Sequence, residues 1–123
     1  MGHRLGIDKI DEYASLFGLG EYTGIELPEV KGHVAGPATS EALGVEWYGG
    51  NLLNAAIGQD NTQVTPLQLA NYIVTLLNGG DHFVPHLLKS VKSSDYSETV
   101  YEQQPEVKNH IALDPANVEA VKR

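Results

Sequence analysis

The sequence contains no cysteine and is poor in aromatic residues, with one Trp, six Tyr and two Phe. Without cysteine there is no disulfide frame and no thiolate nucleophile, and a structural zinc site loses its usual ligand. With so few aromatics the core must be mostly aliphatic. Basic residues are also scarce, eight Lys and Arg against sixteen Asp and Glu, giving a net charge of -8. That is the wrong sign for holding a phosphate backbone, so nucleic-acid binding is not expected. The acidic residues are dispersed and read as a solvated surface. No apolar run approaches the ~20 residues needed to cross a bilayer, and the N-terminus lacks the basic, apolar and small-residue regions of a secretory leader. A soluble chain that does not itself span the membrane is expected.

What remains is 123 residues, 41% hydrophobic, with thirteen Gly. A chain of that length has room for one domain that buries roughly two thirds of its unfolded surface. The pattern is α+β, helix-rich, with a β-hairpin in the C-terminal half. GIDKIDEYASLFGLG reads as a helix capped by Asp8, with Asp11 in the first turn, Ile10, Tyr13, Ala14 and Phe17 on one face, and Gly18 as a left-handed stop. From Tyr22 to Gly50, Gly and Pro are too dense for a long helix or a central strand. Ile25 and Leu27 alternate as in a short strand, Ser40 to Leu43 allow one helical turn, and Trp47 with Tyr48 are expected to anchor this excursion on the core. NLLNAAIGQ reads as a buried extended segment entering a turn at Gly58.

The most heavily marked stretch begins at Thr65. Thr65 and Gln68 form a T-x-x-Q capping box, and Pro66 sits at the first helical position, where its missing N–H does no harm. Leu67, Leu69, Ala70, Ile73, Val74, Leu76 and Leu77 occupy most of the circumference, leaving a narrow stripe of Gln68, Asn71, Thr75 and Asn78. Such a helix is expected to be buried on most sides. Asn78-Gly79-Gly80 ends it, FVPHLLKSV continues as a β-type run, and SSDYSETVYEQQ reads as a turn and returning strand. Asp114 and Pro115 start a last helix that Arg123 interrupts after about two turns.

This carefully specified frame carries little visible chemistry. His82 and His86 have ligand-like spacing, but Pro85 between them and the lack of a third ligand argue against a metal site. His3, His33 and His110 are isolated. No nucleophile elbow, Walker loop or dinucleotide fingerprint occurs. No catalytic, cofactor-binding or metal-ligating residue is assigned, and no cofactor is expected.

The ordered block Ile57-Gly58-Gln59, Val64-Thr65-Pro66-Leu67-Gln68-Leu69-Ala70 and Asn78-Gly79-Gly80 resembles the I-G-Q-G-x-x-x-V-T-P-L-Q-L-A…N-G-G stretch of penicillin-binding protein transpeptidase domains. GIDKIDEYASLFGLG, TGIELPE and WYGGNLLNAAIGQ resemble the stretches that precede it in class B members, and VPHLLKSV is similar to the stretch after it in the elongation type. The likeness covers Leu5 to Val91 best. It makes Gly58, Gln59, Thr65, Pro66 and Gln68 the family's structural motif. Two departures stand out: Asp60 where the family usually carries Gly, and Gly49-Gly50-Asn51 in place of its Pro-Gly-Asp turn. Asp is among the best-tolerated substitutes in the left-handed region, so the turn at Asp60 is expected to survive.

The family works through S-x-x-K, S-x-N and K-[ST]-G, and none of the three occurs in this sequence. The resemblance therefore implies that residues 1-123 are an internal fragment of one transpeptidase domain, lying between S-x-N and K-[ST]-G and inactive alone. It also implies a bacterial parent, anchored in the cytoplasmic membrane and facing outward, that cross-links peptidoglycan stem peptides through an acyl-enzyme and is acylated by β-lactams. A non-catalytic, transpeptidase-like structural or partner-binding module of the cell envelope would show the same residues. In either case Leu69, Ile73, Leu76 and Leu77 are expected to form an exposed apolar patch that self-association or element exchange would cover.

Overall fold

The computed structural model describes all of residues 1-123. Six helices and four strands are arranged in the order α1 (Gly2–Leu5), α2 (Ile7–Leu16), α3 (Pro37–Ala42), α4 (Asn51–Ala56), α5 (Pro66–Leu77), β1 (Asp81–Phe83), β2 (Ser90–Lys92), β3 (Thr99–Glu102), β4 (Val107–His110) and α6 (Pro115–Lys122). The strands form two separate antiparallel ribbons, β1 with β4 and β2 with β3.

The abundance of glycine reflects how the helices stop. After α4 the Gly58 amide donates to the Ala55 carbonyl at 3.0 Å and the Gln59 amide to Asn54 at 2.9 Å. This pair of bonds is the Schellman closure, and it needs Gly58 in the left-handed region, where its φ is +76. The same two bonds close α2, from Gly18 to Ser15 and from Leu19 to Ala14, and close α3, from Gly44 to Glu41 and from Val45 to Ser40. NLLNAAIGQ is therefore a short helix with a glycine stop and not the extended segment its uniform apolar character suggests.

Several other local expectations are corrected. Gly6 is the residue preceding α2, and Asp8 lies in the first turn, where it complements the dipole without capping. Ile25 and Leu27 belong to no strand: the Glu29 carboxylate takes the Thr23 and Gly24 amides, and the Glu26 carboxylate takes the Leu87 amide. Tyr48 is 60% exposed and does not anchor the excursion, while Trp47 is half-buried. α3 starts at Pro37, a turn earlier than Ser40, since proline at the first position costs no hydrogen bond there.

β1 and β4 pair Asp81 with His110 and His82 with Asn109. The buried His82 ring joins this ribbon to the end of α2. Asn109 donates its side-chain amide to the Leu16 carbonyl at 3.1 Å, which leaves its Oδ1 to accept from His82 Nδ1 at 2.7 Å. The ring then fills the space over Gly18, where an added Cβ would stand 2.6 Å from the ring carbon Cε1. The other ribbon, β2–β3, is the hairpin expected from the sequence. Its turn is built on Asp95, which accepts from the Ser93 hydroxyl at 2.6 Å and the Ser97 hydroxyl at 2.8 Å. Those bonds, from Ser93 first and then Ser97, hold its carboxyl at about 2.

The interior is unusual in what it buries. The buried hydrophobics are Ala35, Ile111 and Val118, whereas Thr23, Ser40, Gln68, Asn71, Thr75 and His82 are all buried polar residues. α5 is not buried on most sides: its polar stripe lies inside, and of the expected apolar patch Leu69, Ile73 and Leu77 are exposed while Leu76 is more covered. Gln68, Asn71 and Thr75 are 1%, 8% and 0% exposed, while Leu69, Ile73, Val74 and Leu77 are between 46% and 50% exposed. The polar stripe faces this chain, and much of the apolar circumference faces solvent. One aromatic contact supports α5 on its inner side, the edge-to-face pair Phe17–Tyr72 with ring centroids 5.2 Å apart.

Candidate functional site

A polar residue can be buried without loss only if its hydrogen bonds are made inside the protein. Gln68 shows how α5 achieves this. Its Oε1 accepts from the Thr65 amide at 3.0 Å, and the Thr65 hydroxyl accepts from the Gln68 amide at 3.2 Å, completing the capping box. The remaining amide protons of the Gln68 side chain go to the Glu21 and Lys31 carbonyls, each at 2.7 Å. One side chain thus fastens the start of α5 to two backbone segments far away in sequence.

The rest of the stripe continues the pattern. Asn71 donates to the Phe83 carbonyl at 3.0 Å and ties α5 to β1. Thr75 returns its hydroxyl to the Asn71 carbonyl at 2.8 Å, a bond within the helix that neutralises a buried hydroxyl. Asn78 closes the next turn by accepting from Asp81 at 2.9 Å and donating to the Asp81 carbonyl at 2.7 Å. The segment that Gln68 grips is registered separately: His33 and Gln63 exchange both backbone bonds at 2.8 Å, and the Ala35 amide donates to the Thr62 hydroxyl at 3.1 Å.

Of the five residues marked in the sequence, Thr65, Pro66 and Gln68 build the start of α5, and Gly58 closes α4. Gln59 contributes its backbone amide to that closure, and its side chain is exposed. The structure adds two residues that sequence reasoning passed over, both in TGIELPE. Glu29 accepts from the Thr23 and Gly24 amides, each at 3.0 Å, and from the Thr23 hydroxyl. Burial raises the Glu29 carboxyl, but the Thr23 and Gly24 bonds outweigh it and hold it below its ordinary value. Glu26 accepts from the Leu87 amide at 3.0 Å and the Leu88 amide at 3.4 Å, joining this loop to the V-P-H-L-L segment. Its own backbone N–H, then that of Leu87, holds the Glu26 carboxyl low. The spacing of Glu26 and Glu29 around Pro28 was the available signal, since a carboxylate beside a proline-broken loop has free backbone amides to accept from.

Between α2, the loop from Leu19 to Val34 and Thr39 of α3 lies an open cavity of about 330 Å³. The Lys31 ammonium stands 3.4 Å from Glu21 there, and the Thr39 hydroxyl is committed to the Val34 carbonyl at 2.5 Å. Asp11 also lines it, with one carboxylate oxygen buried and unpartnered. Burial, and then the nearby Asp8, raises the Asp11 carboxyl. A raised carboxyl favours folding below the ordinary carboxylate range and loses that contribution as pH rises through its folded value. Asp11→Asn is therefore expected to melt a few degrees higher than the parent at pH 7, with the difference vanishing near pH 3. Glu26, Glu29 and Asp95 shift the other way, so both proteins weaken in acid, and paired melting curves across pH isolate Asp11. His82 and His86 are not brought together: His82 bonds Asn109, His86 bonds the Leu88 carbonyl at 2.8 Å, and no three His, Asp or Glu side chains converge on a metal-sized site.

An α+β chain held by a V-T-P-L-Q-L-A helix in this arrangement defines a class. The family model for the penicillin-binding protein transpeptidase domain matches residues 1–123, and the chain belongs to that family, on its class B branch. It is 39% identical over 119 residues to penicillin-binding protein 2A of Bacillus subtilis, covering 93% of this chain and 15% of that protein. It is 34% identical over 119 residues to the peptidoglycan D,D-transpeptidase MrdA of Salmonella typhimurium, covering 95% of this chain and 19% of that protein. Among solved structures, the penicillin G acyl-enzyme complex of penicillin-binding protein A from M. tuberculosis superposes with a TM-score of 0.73 at 26% identity, over 98% of this chain and 25% of that one. A chain from a peptidoglycan synthase complex that coordinates polymerization and crosslinking superposes with a TM-score of 0.76 at 29% identity, over 91% of this chain and 18% of that one. The chain thus spans under a fifth of the length of these curated relatives. No helix is long and apolar enough to cross a membrane.

Proposed function

We propose that these 123 residues are an internal part of a class B transpeptidase domain, lying between its S-x-N and K-[ST]-G motifs, and that they position catalytic groups carried by flanking sequence. The whole protein would cross-link peptidoglycan stem peptides at the outer face of the bacterial cytoplasmic membrane by way of a serine acyl-enzyme, and β-lactams would acylate the same serine. In this reading Gly58, Gln59, Thr65, Pro66 and Gln68 are the family's structural motif. They set the entry and direction of α5, and such rigidity matters because misplacement by about 1 Å in an active site can cost roughly a hundredfold in rate.

The observation that carries the proposal is the division of labour on α5. Its polar stripe is satisfied within this chain, while Leu69, Ile73, Val74 and Leu77 stay about half-exposed, as on a helix with more protein to pack against. The absence of all three catalytic motifs from a chain that matches the family model throughout supports the same reading. The test is an intact mass after incubation with a fluorescent penicillin. The 123-residue chain is expected to remain unmodified, and the polypeptide extended through its flanking sequence is expected to gain one adduct on a serine outside this stretch. A stoichiometric adduct on the 123-residue chain itself would overturn the assignment. An extended polypeptide without the serine or its lysine would favour the non-catalytic envelope module.

A further inference from the structure

Asp60 has a φ of +73, in the left-handed region that side-chain-bearing residues seldom adopt. Its carboxylate is fully used there. Oδ1 accepts from the Asn61 amide at 3.0 Å, and Oδ2 accepts from the Asn51 side-chain amide at 2.8 Å. Asn51 stands at the first position of α4 and is used at both ends as well. Its Oδ1 accepts from the Tyr48 amide at 3.2 Å, and its own backbone amide returns a bond to the Tyr48 carbonyl at 2.9 Å.

We propose that Asn51 and Asp60 are a matched pair, a side-chain latch that clamps the start of α4 to the turn leading into α5 and whose two residues are interchangeable only together. The geometry sets the rule. A carboxylate at position 51 could still accept from Tyr48, but its second oxygen would face the Asp60 carboxylate at 2.8 Å, and two like charges at that separation repel strongly. A glycine at position 60 would relieve both the repulsion and the backbone strain. The family resemblance places Asp and Gly at these two positions, another combination the geometry allows. The latch is a positioning device of this chain, and it stands or falls independently of where the catalytic groups lie.

The test is a set of melting curves on the 123-residue chain for Asn51→Asp, Asp60→Gly, the double variant Asn51→Asp with Asp60→Gly, and the exchanged pair Asn51→Asp with Asp60→Asn. Asn51→Asp alone is expected to lower the midpoint by about 5 °C or more, in line with the few degrees that a single lost interaction costs a domain of this size. In the Asp60→Gly background the same change is expected to cost almost nothing. The exchanged pair restores one donor and one acceptor across the contact and is expected to melt close to the parent. Should Asn51→Asp fail to fold, the two double variants decide the matter: folded and near the parent they support the latch, unfolded they overturn it. Equal cost of Asn51→Asp in both backgrounds, or no cost in either, would also overturn it.

Discussion

Replacing Gln68 with leucine is expected to abolish the ordered structure of this chain. The substitution puts an apolar side chain of similar size in place of the amide, and it strands the Glu21 and Lys31 carbonyls and the Thr65 amide, which Gln68 now satisfies. A buried group left without a partner costs about 1–3 kcal/mol, and with the Gln68 end of all three bonds buried the loss of several kcal/mol is a large part of the stability of an ordinary domain, about 5–15 kcal/mol. Little apolar burial is available to absorb that loss, because the buried hydrophobics are Ala35, Ile111 and Val118. Gln68→Glu should be nearly as severe, since a carboxylate retains the acceptor for Thr65 but opposes two carbonyl oxygens. Thr65→Ala, which removes only the cap, should cost about 1 kcal/mol. Circular dichroism melting and the dispersion of amide resonances separate these cases. A Gln68→Leu chain that melts within a couple of degrees of the parent would show that the staple is incidental.

The outer face of α5 should set the solution state. Leu69, Ile73 and Leu77 recur at four-residue spacing and lie on one side of the helix, each close to half-exposed. Covering Ile73 and Leu77 in a pair of associating copies would remove about 1 kcal/mol of apolar exposure per side chain, or about 4 kcal/mol in total. That corresponds to roughly a thousandfold in dissociation constant. The parent is therefore expected to self-associate as its concentration rises, and Ile73→Lys combined with Leu77→Lys is expected to stay monomeric with its helical content unchanged. Sedimentation velocity over a concentration series reads the difference. A parent that remains monomeric at millimolar concentration would contradict the account, as would a double variant that loses its helices, because these side chains would then be supporting the fold from within.

The part of this architecture legible in the sequence is the part that depends on neighbours a few residues apart. The capping box at Thr65 and Gln68, the proline at position 66, the hairpin turn around Asp95 and the Asp114 cap all concern groups within five residues of one another, and each is present. The expectation that Asp60 would keep the left-handed turn held for the same reason. α4 was misread because a run such as N-L-L-N-A-A shows no clear period, so only the glycine stop after it distinguishes a short helix from an extended segment. β4 was missed because its partner, Asp81 to Phe83, lies far back in the chain and neither segment announces the pairing.

The orientation of α5 failed for a deeper reason. Counting apolar side chains assigns the larger face to the interior, but burial of Gln68 depends on carbonyls 47 and 37 residues away, which no local rule supplies. The signal that could have found it was the regularity of the polar stripe itself. Gln68, Asn71, Thr75 and Asn78 recur at three- and four-residue intervals, the spacing of a single helix face, and uncharged amides and hydroxyls in that pattern suit a hydrogen-bonded interior better than a solvated edge. Glu26 and Glu29 escaped notice because they read as surface charges until the loop they hold together is seen.

The most direct measurement is the exchange behaviour of the Gln68 side-chain amide in the nuclear magnetic resonance spectrum of the folded chain. With both protons given to backbone carbonyls in the interior, they should appear as two shifted, individually resolved lines that exchange with solvent far more slowly than those of the exposed Gln59. A Gln68 amide that exchanges as freely as Gln59 would mean that the polar stripe faces water, and the scaffold would be wrong at its centre.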